Sequence, residues 1–138
     1  MNPERILEFL HDSQAYVSGD FISDKLGISR QALWKHIQEL KTFGYEIEAV
    51  PHLGYKLAAT PDRLYPFEIS RQIKTSFLGC KTMHFEHVDS TMNAAMQLAL
   101  QGAPQGLMVV AESQSHGRGR LGRSWLSPKY KGIYASII

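Results

Sequence analysis

The four residues Leu26-Gly27-Ile28-Ser29 constrain the fold most tightly, because they must end one helix and start another within a single turn. The helix before them begins near Ser18-Gly19-Asp20 and is expected to pack Phe21, Ile22 and Leu26 inward. Gly27 suits its C-cap, since glycine enters the left-handed region without a Cβ clash. Ser29 is then a good N-cap for a helix in which Leu33, Ile37 and Leu40 recur at i, i+4 and i+7. Upstream, Ile6, Leu7, Phe9 and Leu10 form one apolar stripe, with Glu4, Glu8 and His11 on the other side. The joined pair reads as a helix-turn-helix over about residues 19–38.

After Gly44 the chain alternates Tyr45, Ile47 and Ala49 with Glu46 and Glu48, turns at Pro51-His52-Leu53-Gly54, and returns through Tyr55-Lys56-Leu57. That pattern predicts a β-hairpin over about 45–57. Three helices and a hairpin make a winged helix, whose third helix usually enters the major groove of DNA. The outer face of that helix carries Arg30, Gln31, Trp34, Lys35 and Gln38. Ser29, Arg30, Gln31, Lys35 and His36 are the expected DNA contacts, because residues at the start of such a helix reach base edges. Trp34 is read as a packing residue. Winged helices also serve as protein-binding modules, and six Lys/Arg against eight Asp/Glu in residues 1–60 leave that alternative open.

The chain has 138 residues, 43% of them hydrophobic and 20% charged, which suits one globular domain or two small ones. Ala58-Ala59-Thr60-Pro61-Asp62 reads as a linker, dividing residues 1–60 from residues 61–138. No apolar run approaches a membrane span and no signal core follows Met1, so a cytoplasmic location without membrane contact is expected. The single cysteine, Cys80, has no thiol partner for a disulfide or a zinc site and is read as a small buried hydrophobe. No metal-ligating set is expected among the side chains.

In the second part, Ile69 to Ile73 suggests a short helix and Thr82 to Val88 a strand. Asp89-Ser90-Thr91 then caps a helix expected to turn Met92, Ala95, Met96, Leu98 and Ala99 inward before ending at Gly102. A strand from Leu107, an arginine loop and a last strand from Ile133 complete the order. The loop, Gly117-Arg118-Gly119-Arg120-Leu121-Gly122-Arg123-Ser124-Trp125, sets three arginines on a backbone loosened by three glycines. Guanidinium groups offer planar, permanent donors to phosphate or carboxylate oxygens, so the run reads as an anion-binding segment. Its glycine spacing also fits a dinucleotide fold, but Ser127-Pro128 follows in place of a helix, and no acidic residue comes about 20 positions on. A disordered basic Arg-Gly segment is the remaining alternative from the nine residues alone.

Taken together, Asp89-Ser90-Thr91, Gly102-Ala103-Pro104-Gln105-Gly106, Ala111-Glu112-Ser113-Gln114 and the arginine run with Ser127-Pro128 resemble the start of a biotin protein ligase catalytic domain. The preceding SRQALWKHIQEL and VPHLGYKL segments resemble the DNA-binding half of the bifunctional ligases that also repress the biotin operon. The fold class implied is α+β: a winged helix-turn-helix followed by the first part of a mixed-sheet ligase domain. The activity implied is ATP-dependent formation of biotinyl-5′-AMP and transfer of biotin to a lysine of a carboxylase's biotin carrier domain, with Mg2+ accompanying ATP. Operator DNA and a ligand-promoted homodimer are the other implied partners.

By the family pattern, Ser90, Thr91, Gln114, Gly117, Arg118, Gly119 and Arg120 line the biotin and adenylate site, with Arg118 and Arg120 as its catalytic charges. Two positions depart from that pattern. Met92 intervenes before Asn93 where the family places asparagine directly after Ser-Thr, and His116 replaces a small residue before Gly117. Family ligases also continue into a Lys-Trp-Pro-Asn-Asp-like motif absent from this sequence, so a partial sequence, inactive alone, is expected. The alternative function is a ligand-responsive winged-helix regulator without catalysis. A lipoate ligase of related architecture is disfavoured by the arginine run and the winged helix.

Overall fold

The computed structural model describes residues 3–138. The chain divides into two compact units between Pro61 and Asp62. The first unit contains α1 (Glu4–Asp12), α2 (Gly19–Leu26), α3 (Arg30–Thr42), β1 (Glu46–Val50) and β2 (Gly54–Ala59). Its core is built from Ile6, Leu7 and Leu10 of α1, Ile22 of α2, and Leu33, Ile37 and Leu40 of α3, closed by Tyr45 and Ile47.

The turn between α2 and α3 is made by the two residues that demand it. Gly27 takes φ 65°, and its N–H donates to the carbonyls of Asp24 and Ser23. Ser29 Oγ accepts from Ala32 N at 3.1 Å, satisfying one of the open donors of α3. The hairpin is fastened to the segment before α2 by Val17 and Tyr55, whose backbones exchange N–H···O bonds of 2.8 and 2.9 Å. Gly54 makes this approach possible: a Cβ there would lie 2.0 Å from the Val17 carbonyl oxygen.

Three expectations for this unit change. Phe21 is exposed, because α2 buries only Gly19, Ile22 and Ser23 and turns position 21 outward; its ring meets Phe9 edge-on at 5.9 Å. Strand β2 runs on through Ala58 and Ala59, with Ala59 opposite Glu46, so these alanines belong to the hairpin and not to a linker. Trp34 is 54% exposed and is no packing residue: it follows Leu33 on α3, and a step of one residue carries it off the buried stripe.

The second unit contains α4 (Pro66–Gln72), β3 (Thr82–Phe85), α5 (Thr91–Leu100), β4 (Met108–Ala111), β5 (Gln114–Arg118), β6 (Ser124–Ser127) and β7 (Tyr134–Ile137). Strands β3, β4 and β7 form a mixed sheet in that order, β3 parallel and β7 antiparallel to β4. The parallel pair requires a crossover, and α5 supplies it. Val109, Val110 and Ala111 fill the centre of this sheet with Ala95, Phe67 and Tyr134 as the other buried apolar side chains. Strands β5 and β6 make a separate antiparallel ribbon. Glu112 ties the start of the unit to the sheet: it is buried, and Oε1 accepts from Leu64 N at 2.8 Å and lies 3.1 Å from His84 Nε2.

Here too the structure departs from the sequence reading. The first helix starts at Pro66, whose missing N–H costs nothing in the first turn, rather than at Ile69. Strand β3 ends at Phe85, and Val88 makes only an isolated bridge to Gln114. On α5 only Thr91 and Ala95 are buried, a narrow stripe one turn apart, so Met92, Met96 and Ala99 face outward. Cys80 is exposed, held in a turn where its thiol donates to the Thr75 carbonyl at 3.0 Å. No described helix is long and apolar enough to cross a membrane.

Candidate ligand cleft and nucleic-acid face

The arginine run is a hairpin and not a free loop. Gly117 pairs with Trp125 and Arg118 with Ser124, and Arg120–Gly122 form a short turn in which Leu121 and Gly122 have φ 57° and 73°. Gly117 is fixed by the strand opposite: an added Cβ would lie 2.5 Å from the Trp125 carbonyl oxygen and 2.6 Å from Ser127 Oγ. Gly119 closes the turn through its N–H, which donates to the Arg123 carbonyl at 2.7 Å.

Beside this hairpin lies a cleft of about 210 Å³, lined by Ser90, Thr91 and Gln114 together with Arg118, Trp125 and the β7 strand. Gln114 organises it. Its Oε1 accepts from Thr91 N at 2.8 Å and from Thr91 Oγ1 at 3.2 Å, and its Nε2 donates to Ser127 Oγ at 2.9 Å. Ser136 Oγ of β7 in turn donates to Thr91 Oγ1 at 3.0 Å. The first N–H of α5 is thus satisfied by the Gln114 side chain, while Ser90 at the N-cap position makes no side-chain cap bond. One end of the cleft offers hydroxyl and amide groups, and Met92, Trp125, Ile133 and Tyr134 supply apolar surface. Such a mixture orients a ligand through few polar contacts while burying its apolar part.

Four of the sequence-derived site residues, Ser90, Thr91, Gln114 and Arg118, therefore meet at one cleft. Gly117, Gly119 and Arg120 lie outside its lining, the first as a strand contact and the others at the hairpin turn. Trp125, Tyr134 and Ser136 line it without having been singled out. Trp125 stood inside the arginine motif. Ser136 reaches the cleft only because β7 pairs with β4, which no local pattern specifies.

Met92 lines the cleft where the family pattern expects asparagine, and Asn93 turns to Asp89 instead, its Nδ2 donating to Oδ2 at 2.5 Å. That bond first, and then the Ser90 N–H at 2.7 Å, hold the Asp89 carboxyl below the ordinary aspartate range. A depressed carboxylate stabilises the fold above its unfolded pKa, and the contribution is lost as pH falls through the folded value. Acidification should therefore release the Asp89 contacts at the start of α5, with the Ser90 amide and Asn93 side-chain resonances moving together. Their midpoint should lie below the usual aspartate value of about 3.9; a midpoint at or above that value would contradict the assignment. His116, beside this turn, is exposed, with Nδ1 3.0 Å from Ser115 Oγ.

In the first unit, Arg30, Gln31 and Lys35 are exposed on α3 with Trp34. Ser29 spends its hydroxyl on the helix cap, and His36 Nδ1 lies 3.2 Å from Glu39 Oε2. Arg30 Nη1 is bound by both oxygens of Asp20, at 3.0 and 3.2 Å. Together with Ser18, Gly19 and the hairpin from Ala49 to Tyr55, this pair borders a cleft of about 580 Å³.

Comparison with known proteins agrees with both halves. Residues 3–56 match the HTH domain family, and residues 84–138 match the biotin/lipoate A/B protein ligase family. Over 94% of its length the chain is 43% identical to the bifunctional ligase/repressor BirA of Bacillus spizizenii (strain ATCC 23059 / NRRL B-14472 / W23), covering 40% of that protein. Over 98% of its length it is 32% identical to the protein of the same name from Escherichia coli (strain K12), again covering 40% of it. A solved biotin protein ligase from Leishmania major, in complex with biotin, is 43% identical over 39% of this chain and 21% of that one. Its TM-score of 0.33 is too low to say anything about the fold. The chain thus spans about two fifths of the length of the curated relatives it matches. Its first part is thus similar to a helix-turn-helix domain and its second part to a segment of the biotin/lipoate A/B protein ligase family.

Proposed function

We propose that the chain supplies the DNA-binding unit and part of the substrate site of a protein that activates biotin with ATP, transfers it to a biotin carrier domain, and represses biotin genes when loaded. The observation that carries this reading is the meeting of Ser90, Thr91, Gln114 and Arg118 at one cleft within the segment matching the ligase family. A biotin carboxylate oxygen attacks the α-phosphorus of ATP, the bond to the β-phosphate oxygen breaks, and pyrophosphate leaves. A neutral lysine amine of the carrier domain then attacks the acyl carbon of biotinyl-5′-AMP, AMP leaves, and the amine loses its proton.

In this scheme the Ser90, Thr91 and Gln114 groups orient biotin, and Trp125 and Met92 cover its apolar part. Arg118 offsets the charge brought together when a carboxylate meets a triphosphate, the step at which placed cations contribute most. Arg120, on the turn, reaches the phosphate only after the hairpin tip moves toward the ligand. ATP would bring Mg2+ with it, held mainly by the phosphates, whose charge the ion would help neutralise. Among the described residues no group of three or more His, Cys, Asp or Glu side chains could hold a metal. Loading with biotinyl-5′-AMP favours a homodimer, which sets two α3 helices on an inverted repeat of operator DNA.

The test is an NMR titration of the chain with biotinyl-5′-AMP. The Thr91 and Gln114 amides and the Trp125 indole should shift together and saturably. Replacing Arg118 with alanine removes a charge-assisted bond worth roughly 1.5–3 kcal/mol, so the dissociation constant should rise about tenfold or more. Shifts confined to other residues, or an unchanged constant in the variant, would remove the cleft from the reading.

A further inference from the structure

We infer that Asp20 is a positioning residue for sequence reading by Arg30; this rests on the DNA-binding reading above. Arg30 opens α3, the place on a recognition helix from which a side chain reaches base edges. Its guanidinium is held to the carboxylate of Asp20, in the first turn of α2, with Nη1 bridging both carboxylate oxygens. The pair therefore spans the helix-turn-helix corner.

Three observations point beyond an incidental surface ion pair. Both side chains are about 70% exposed (71% and 67%), so the contact contributes little to stability. Yet an acid at the DNA-facing end of α3 repels phosphate, a cost that folding does not explain. Gly19, beside it, packs close under the hairpin, where a Cβ would meet the Tyr55 ring at 3.3 Å and lie in ordinary contact with Arg30 Nη2 at 3.9 Å. The pair also borders the cleft between the helix-turn-helix and the hairpin, and a free arginine there would swing among many rotamers and reach phosphates as readily as bases. Tethering one nitrogen lowers the ordering cost of presenting the rest of the planar fork, and guanine, with its two major-groove acceptors, is the base that fork matches. Asp20 thus trades general phosphate attraction for discrimination at one base pair.

The experiment uses the full chain, in the presence of biotinyl-5′-AMP throughout, and duplex DNA enriched by it from a randomised pool. The Arg30→Ala variant first identifies the base pair at which discrimination is lost. Asp20→Asn should then lower discrimination at that same base pair roughly tenfold, leave other positions unchanged, and bind a scrambled duplex as well as or better than the original chain. In the Arg30→Ala background, Asp20→Asn should change discrimination no further. Uniform tightening on every duplex would show that Asp20 merely repels phosphate, and unchanged discrimination would show that Arg30 needs no tether; either overturns the inference while leaving DNA binding intact. A pool in which nothing is enriched overturns the DNA-binding reading and this inference with it.

Discussion

Replacing Gly117 with alanine should open the β5–β6 hairpin and cost the cleft its ligand. The new methyl would stand 2.5 Å from the Trp125 carbonyl oxygen, 2.6 Å from Ser127 Oγ and 3.1 Å from Gln114 Nε2. The nearest of these is backbone, which cannot rotate away, so the strands must separate. Overpacking of this kind costs about 1–3 kcal/mol. More important is where the strain falls. Gln114 bridges Ser127 to both polar groups of Thr91, and pushing the ribbon apart breaks that bridge. The Thr91 N–H at the start of α5 then loses its partner. Affinity for biotinyl-5′-AMP should fall by roughly tenfold or more, the equivalent of 1.4 kcal/mol. Gly119→Ala makes the matched control, since its added Cβ comes no closer than 3.3 Å to Arg123 and it sits at the turn. Equal ligand-dependent shifts in the Gly117→Ala variant and the original chain would refute this account.

The second large effect is expected in the other unit. Ile37 of α3 is 0% exposed, in a core shared by α1, α2 and α3. Truncating it to alanine leaves a cavity and should cost about 2–5 kcal/mol. A unit of this size has only about 3–9 kcal/mol to lose at typical stability per residue. Hydrogen exchange read residue by residue should show the amides of α1, α2 and α3 losing most of their protection. Those of Val109 and Val110 in β4, centred in the second unit, should keep theirs. Ile37→Val, at about 0.5–1.5 kcal/mol, should leave the pattern intact. Loss of protection at β4 equal to that at α3 would mean that the two units unfold as one.

These two positions illustrate what could be read from the residues alone. The periodicity of Leu33, Ile37 and Leu40 identified a buried stripe, and burial is what the structure shows for all three. Gly27 and Ser29 were legible because a helix end imposes local demands, a left-handed residue and a hydroxyl acceptor, that few residue types meet. Gly117 was legible as a member of a motif but not in its reason. It reads as freedom for an anion, whereas in the folded chain it is a strand contact. Ser90, Thr91, Gln114 and Arg118 were named through family resemblance, and the fold sets them around one cleft while leaving Arg120 at the turn.

What the sequence determined by itself was local: helix ends, the direction of the α3 stripe, the hairpin after Gly44, and the resemblance of each half to a known family. What only the tertiary structure decided was which apolar side chains have something to bury against. Phe21, Trp34, Met92 and Met96 carry the composition of a core and stand exposed, and Cys80 sits in a turn. Burial depends on the surface that another element presents, and a contact partner far along the chain leaves no trace in local spacing. The Ser136–Thr91 bond and the Asp20–Arg30 tether arise in the same way, from elements brought together by packing.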